Sequence, residues 1–390
     1  MNLLWLLSNA QAGTEATFWL PPQASTLAAD IDTTFYFIYW VSVVFFIVLM
    51  GAMIYLAVVY KKKSDADKTA DLKGSHTLEF AWSVFPSFLL IAMFVMGFQT
   101  YMRSTIPPAD ALEVRVEGYQ WAWVYNYPSL GVSVGAQESL VVPKGQSVRL
   151  TMSSRDVLHS FYVPDFRIKK DVLPNRYTMQ WFQADELIVD ETVHQKISGQ
   201  KRDDGSELVT IEGNIEAVKQ TIIDRATEEG QSLTADQIQV GVHQVFCTEY
   251  CGNDHSRMLS SVIVLEQEHF DLWVRGTTRF DPYKKFAGQA AEIGKHLANK
   301  NGCTGCHNIS GDAGGSGPTW KGLVGKERQF TNADSIVADA NYIRESILNP
   351  SAKIVMGDDG GAYGNMNAGW DKLLSAQDID MIIAYIETLK

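Results

Sequence analysis

At 390 residues the chain has room for two or three domains. Its formal net charge of −12 argues against nucleic acid as a partner and suits the steering of a basic protein, an attraction that salt should weaken. The mean hydropathy of −0.07 conceals a sharp division, because almost all the extreme hydrophobicity lies before residue 103.

The extreme N-terminus, Leu3 to Leu7 followed by Ala10-Gln-Ala12, is like the end of a secretory signal. It lacks the positively charged start and its apolar run is short. Residues 1–32 are therefore read as an uncleaved extracytoplasmic segment. Two uncharged apolar runs follow, Phe35 to Tyr60 and Phe80 to Met102, the second containing Pro86. Each is long enough to cross ~30 Å of hydrocarbon at ~1.5 Å per residue, which predicts a transmembrane helical hairpin over 33–103. The alternative is a buried soluble hairpin. Lys61, Lys62, Lys63, Lys68 and Lys73 crowd the short connection, and lysine excess in a short loop marks the cytoplasmic side. Everything after Met102 then lies outside.

From 111 to 275 the pattern turns to short β-type runs. Val114 to Val116, Ser139 to Val142, Ser147 to Met152, Tyr177 to Phe182, Val242 to Phe246 and Ser261 to Leu265 are examples. Turn residues such as Pro143-Lys-Gly145 punctuate them, as in an all-β, cupredoxin-like Greek-key sandwich. A polar stretch over about 184–237 breaks this rhythm and reads as an insertion. Ile215, Val218 and Ile222 fall at helical spacing, which predicts a small amphipathic helix in part of it, and its role is read as a solvated decoration. A third unit, 284–390, is predicted to be all-α. Phe286 to Lys300 looks helical, and Ala376 to Leu389 carries Ile379, Ile382, Ile383 and Ile386 on one side.

All four cysteines sit in two short motifs. The first, Cys247-Thr-Glu-Tyr-Cys251, runs on to His255 and Met258 and offers two thiolates, an imidazole and a thioether on one loop. Soft sulfur donors with imidazole favour copper. His159 is the candidate for a second imidazole. A Cys2His2 zinc site would use the same thiolates and imidazoles without needing Met258, and a Cys247–Cys251 disulfide is also open. The second motif, Cys303-Thr-Gly-Cys306-His307, is a c-type haem attachment signature, with Cys303 and Cys306 as thioether donors and His307 as the iron ligand.

The segment Cys247-Thr-Glu-Tyr-Cys-Gly-Asn-Asp-His-Ser-Arg-Met258 resembles the binuclear copper A loop of cytochrome c oxidase subunit II. Gly118-Tyr-Gln-Trp-Ala-Trp123, Val157-Leu-His-Ser-Phe161 and Leu78-Glu-Phe-Ala-Trp-Ser-Val-Phe-Pro86 extend the likeness, in the family's order, over most of 30–275. The resemblance implies that Cys247 and Cys251 bridge two coppers and that His159 and His255 each bind one. Met258 would complete one copper and the Glu249 carbonyl the other. Trp121 would receive the electrons, the Glu249 carboxylate would help hold a magnesium ion shared with subunit I, and Glu79 would open a proton path into that subunit. A carboxylate in a helix's first turn also complements the helix dipole, which is the plainer role for Glu79. Tyr119 stands where many members carry a histidine, so that histidine's role is not transferred.

The last unit resembles a class I cytochrome c domain. Gly317-Pro318 lies where such domains orient the haem histidine through a proline carbonyl, and Gly294 and Tyr385 suit the contact between first and last helices. Met366 is the expected second iron ligand over Met356, although Asn367 follows it where Met-Pro is common.

The resemblance thus implies the electron-accepting subunit of a proton-pumping terminal oxidase in a bacterial inner membrane, both metal domains facing outward. Subunit I and subunit III would be its partners, with cytochrome c or another respiratory complex as donor. The alternatives are the copper A subunit of a nitric or nitrous oxide reductase and a membrane-anchored carrier with no catalytic partner.

Overall fold

The computed structural model describes residues 16–64, 74–135, 138–185, 187, 211–278, 281–311, 317–357, 361–363, 366 and 369–390. The Leu3–Ala12 signal-like stretch and Lys68 and Lys73 of the connecting loop lie outside these residues.

Two long helices open the chain, α1 (Thr26–Val59) and α2 (His76–Thr105). Both are apolar and exposed along nearly their whole length, and their core stretches pass the length and hydropathy required of membrane spans. An exposed helix that is apolar all round has no place in water. Pro86 sits inside α2, as membrane helices tolerate. The first helix starts seven residues earlier than the sequence expectation of 33, because its first two turns belong to the domain above rather than to the membrane. There, buried Asp32 accepts from Arg167 Nε at 2.8 Å and from Gln23 Nε2 at 2.8 Å. Arg167 also donates to the carbonyls of Pro21, Pro22 and Pro164, so this single guanidinium ties the N-terminal segment and α1 to the β domain.

Ten strands form that domain: β1 (Leu112–Tyr119), β2 (Ala122–Tyr127), β3 (Val132–Val134), β4 (Leu140–Pro143), β5 (Ser147–Ser154), β6 (His159–Val163), β7 (Ile168–Val172), β8 (Thr178–Gln183), β9 (Val240–Cys247) and β10 (Leu259–Leu265). They make two five-stranded sheets, ordered β3-β2-β1-β5-β8 and β4-β10-β9-β6-β7. The β1–β5 and β4–β10 pairs are parallel, and the crossovers this requires give a sandwich rather than a meander. Trp123, Tyr125, Phe161, Phe166 and Phe182 fill the space between the sheets.

Residues 186 and 188–210 of the insertion lie outside the described residues, and its described part departs from the expected role of a solvated decoration. Its helix α3 (Ile211–Glu228) buries Ile215, Val218, Ile222 and Ala226 in the same core as the sandwich and packs on α4 (Gln267–Thr278). Gly276 of α4 allows this approach, since a Cβ there would lie 2.8 Å from Thr221. The helix agrees with the spacing of Ile215, Val218 and Ile222, whereas the burial of that apolar face in the sandwich core is what the polar composition concealed.

The last unit has its own core, built around α5 (Ala290–Lys300), α6 (Ala340–Leu348) and α7 (Ala376–Thr388). Helix α5 begins at Ala290 rather than Phe286, because the chain turns at Gly288 with φ of 79°. Where α5 crosses α7, a Cβ on Gly294 would lie 1.8 Å from the Met381 carbonyl oxygen, so only glycine fits.

Candidate metal centres

Strand pairing brings the two parts of the first centre together. Phe161 of β6 stands opposite Cys247 at the end of β9, which sets His159 near the mouth of the Cys247–Met258 loop. Gly252, with φ of 120°, turns that loop, and the short 3-10 turn His255–Arg257 returns His255 and Met258 beneath it. Cys247 Sγ lies 3.9 Å from His159 Nδ1 and 3.4 Å from the Glu249 carbonyl oxygen. Cys251 Sγ lies 3.4 Å from His255 Nδ1 and 3.9 Å from Met258 Sδ. The two sulfurs are 3.8 Å apart, far beyond the ~2.05 Å of a disulfide, so that alternative falls. Each sulfur thus has one imidazole and one weaker donor beside it. A single tetrahedral zinc would leave the thioether and the carbonyl unused, whereas two soft ions sharing the thiolates use every donor.

Electrostatics agree with a multiply charged guest. Burial pushes the Cys247 thiol up, but hydrogen bonds from His159 and the backbone at Ser160 outweigh it and bring it down to about 6. Burial and the neighbouring Cys247 charge push Cys251 up to about 12. The charge on one sulfur opposes ionisation of the other, so a positive guest between them would favour both as thiolates. Asp156 orients the first imidazole: its Oδ1 lies 2.9 Å from His159 Nε2. An ionised carboxylate only accepts, so Nε2 keeps its proton, and Nδ1 facing the sulfur is the atom that would give up its proton to bind a metal.

The second centre is a cavity of ≈ 220 Å³ lined in part by Cys303, Cys306, His307, Arg328, Met366 and Trp370. His307 Nδ1 donates to the Pro318 carbonyl oxygen at 2.8 Å, which leaves Nε2 as the available ligand atom. Its ring stacks on Trp320, with centroids 5.1 Å apart. Gly317 is required there, since a Cβ would lie 2.9 Å from the imidazole Cε1. Burial lowers the His307 pKa, favouring the neutral imidazole that binds a metal. Arg328 Nε and Trp370 Nε1 are buried with no hydrogen-bond partner among the described residues. Unpaired buried donors are rare, and an anionic group in the cavity would satisfy them. The ligand atom and the orphaned donors fit a haem with acidic side groups. Met366 lines this cavity; Met356 does not, and is 36% exposed.

The cavity also has a wall from the other domain, formed by Tyr119, Gln120 and Trp121. Trp121 Nε1 donates to the Cys251 carbonyl oxygen at 3.2 Å, and Gln120 Nε2 donates to the same oxygen at 2.7 Å. Cys306 Sγ lies 3.9 Å from the Gln120 carbonyl oxygen. One tryptophan therefore borders the haem cavity and touches the thiolate loop. Gln120, Asp156, Arg328 and Trp370 escaped the sequence reading. Gln120 and Asp156 lie beside recognised motifs, while Arg328 and Trp370 carry no local signal.

Glu79 occupies the first turn of α2, half-exposed, with Oε2 3.3 Å from His76 Nδ1. From Glu79 to Arg103 the helix climbs about 36 Å, so this carboxylate is far from both centres. Among the described residues the one tight group of three His, Cys or acidic donors is His159, Cys247 and Cys251, and the Glu249 carboxylate is not part of it.

An exposed apolar hairpin, a β-sandwich with a two-sulfur metal loop and a helical domain with a haem-attachment cavity together define a membrane-bound electron-transfer subunit. Three family descriptions match along the chain. They are the transmembrane domain of cytochrome c oxidase subunit II over residues 13–100, its periplasmic domain over 132–191 and cytochrome c over 291–390. The chain is 25% identical to cytochrome c oxidase subunit 2 of Alkalihalophilus pseudofirmus, over 95% of this chain and 89% of that one. It is 23% identical to cytochrome c oxidase subunit 2 of Thermostichus vulcanus, over 70% of this chain and 84% of that one. The solved periplasmic domain of subunit II of cytochrome oxidase from Bradyrhizobium japonicum is 23% identical over 47% of this chain and 100% of that one, with a TM-score of 0.30, too low to bear on the fold. The chain belongs to the cytochrome c oxidase subunit II family, in a form that carries a C-terminal cytochrome c domain. Membership implies a copper A centre, and the cytochrome c domain implies haem.

Proposed function

We infer that this subunit takes electrons from a cytochrome c or another respiratory complex at its haem domain and delivers them through its copper domain to subunit I, in support of proton pumping. When bound, haem c and copper A supply the one-electron redox chemistry. Cys303 and Cys306 would attach the haem, with His307 and Met366 on its iron. Cys247 and Cys251 would bridge the copper pair, with His159, His255, Met258 and the Glu249 carbonyl as the remaining ligands. A buried, preassembled donor set changes geometry little between redox states, which rapid transfer needs. Trp121 joins the two sites, and its contacts with the cavity and with Cys251 are the observation that carries this reading. Replacing it by Leu should slow oxygen consumption by the assembled oxidase while both metal spectra persist. Unchanged consumption would remove Trp121 from the path.

The Lys61–Lys63 cluster supports an orientation in a bacterial inner membrane with both metal domains on the periplasmic side. Glu79, exposed at the opposite end of α2, would feed protons into subunit I. Glu79→Gln should slow turnover yet leave reduction of both metals at its normal rate; unchanged turnover would leave only helix capping. Subunit I, with subunit III beside it, would cover the apolar hairpin together with lipid. The Glu249 carboxylate would share a magnesium ion with subunit I, which manganese resonance in a Glu249→Gln oxidase tests: an unaltered signal would exclude it. The family assignment favours oxygen over nitrogen oxides as the final acceptor.

A further inference from the structure

The haem domain meets the copper domain through groups that ligate no metal. Gly135, one residue beyond β3, does not have a positive φ, so its conformation does not call for glycine. A Cβ built on it would lie 2.5 Å from the Lys300 carbonyl oxygen and 2.8 Å from Lys300 Cα. Both are backbone atoms at the end of α5 and cannot swing aside as a side chain would. Glycine is therefore required here by the neighbouring domain. Next to it the Tyr119 hydroxyl reaches the Asn301 carbonyl oxygen at 3.4 Å. Tyr119 is only 6% exposed, and the Arg155 guanidinium lies 5.2 Å from its ring centroid. Asn301 is itself anchored, its Nδ2 donating to Leu297 O at 2.8 Å.

We propose that Tyr119 and Gly135 form a seat for the end of α5 that holds the chain's own cytochrome domain in one pose against the copper domain. Tyr119, standing where the family resemblance has a histidine, is then a positioning residue. The seated domain is a fixed segment of the electron path, and it covers the Trp121 face that a soluble carrier would otherwise use. This proposal rests on the functional reading above, in which electrons pass from the haem domain to the copper domain. A domain on a tether alone would gain a raised effective concentration but would have to re-dock before each transfer, a diffusive step that solvent viscosity slows. A seated domain has no such step.

The test uses the full assembled oxidase. Haem c is reduced by a flash-activated sensitiser, and copper A absorbance is followed as glycerol raises the viscosity. The wild-type transfer rate is expected to be independent of viscosity. Gly135→Val should slow it about tenfold, within the range that overpacking a close contact produces, and should make it viscosity-dependent with both metal spectra unchanged. Tyr119→Ala should do the same, and Tyr119→Phe, which keeps the ring but loses the hydroxyl that reaches Asn301, should show the same change to a smaller degree. A wild-type rate that falls with viscosity would overturn the seat without needing any variant, as would wild-type transfer in Gly135→Val. Absence of any haem-to-copper transfer in wild type would instead overturn the functional reading.

Discussion

Five of the six donors of the first centre, Cys247, the Glu249 carbonyl, Cys251, His255 and Met258, come from one loop, and only His159 comes from another strand. The haem cavity is assembled differently. Its attachment motif is local, but Met366, Arg328 and Trp370 come from distant stretches, and Tyr119, Gln120 and Trp121 belong to another domain. The first centre is therefore fixed by one loop's conformation, the second by how several elements and two domains pack. Damage to the loop should stay local, while damage to the cavity's surroundings should spread to electron transfer between domains.

The largest expected effect is at the loop. Cys251, 3% exposed, touches both the other sulfur and two further donors. Cys251→Ser should abolish the binuclear copper spectrum and leave haem c absorbance intact, because the two domains have separate cores. Loss of both spectra together would break the contrast between a local and a distributed site. Mixed-valence copper surviving in the variant would remove Cys251 from the centre.

This contrast also governs what the sequence revealed. Ligands on one loop appear as a spacing, so Cys247 to Met258 could be read down to individual donors, and so could Cys303-Thr-Gly-Cys306-His307. His159 could be named only as the candidate for a second imidazole, because pairing of distant strands within a sheet leaves no spacing to read. Met366 was preferred to Met356 only by analogy, and of the two Met366 is the one that lines the cavity. Arg328 and Trp370 could not have been foreseen, since an orphaned buried N–H is a property of packing. The spacing of Ile215, Val218 and Ile222 showed a helix, but the polar surface of α3 disguised that its apolar face joins the sandwich core.

Met366 sharpens the comparison at the haem side. Met366→Ala should turn the haem high-spin or admit a replacement ligand, and lower its reduction potential, because a thioether opposite histidine raises it. Met356→Ala should change neither. Optical spectra and redox titration of both variants decide the matter, and the reverse outcome would exchange the two assignments.

Ile222 tests whether the insertion belongs to the copper domain. It is fully buried at the centre of α3, so Ile222→Ala should destabilise that domain by ~2–5 kcal/mol, the cost of truncating a core side chain. Denaturant unfolding followed at the copper band would measure it. A shift below about 0.5 kcal/mol, typical of surface changes, would return the helix to the status of a decoration.

The central claim is that electrons reach the copper domain through the chain's own haem domain. Anaerobic stopped-flow mixing of the assembled oxidase with a limiting amount of reduced donor tests it directly, compared with a Cys303→Ser/Cys306→Ser protein that cannot attach haem. Haem c should be reduced first in wild type, with copper A following as haem c reoxidises, and copper reduction should largely disappear in the variant. Copper A reduced at the wild-type rate in the haem-less protein would show that electrons bypass the fused domain.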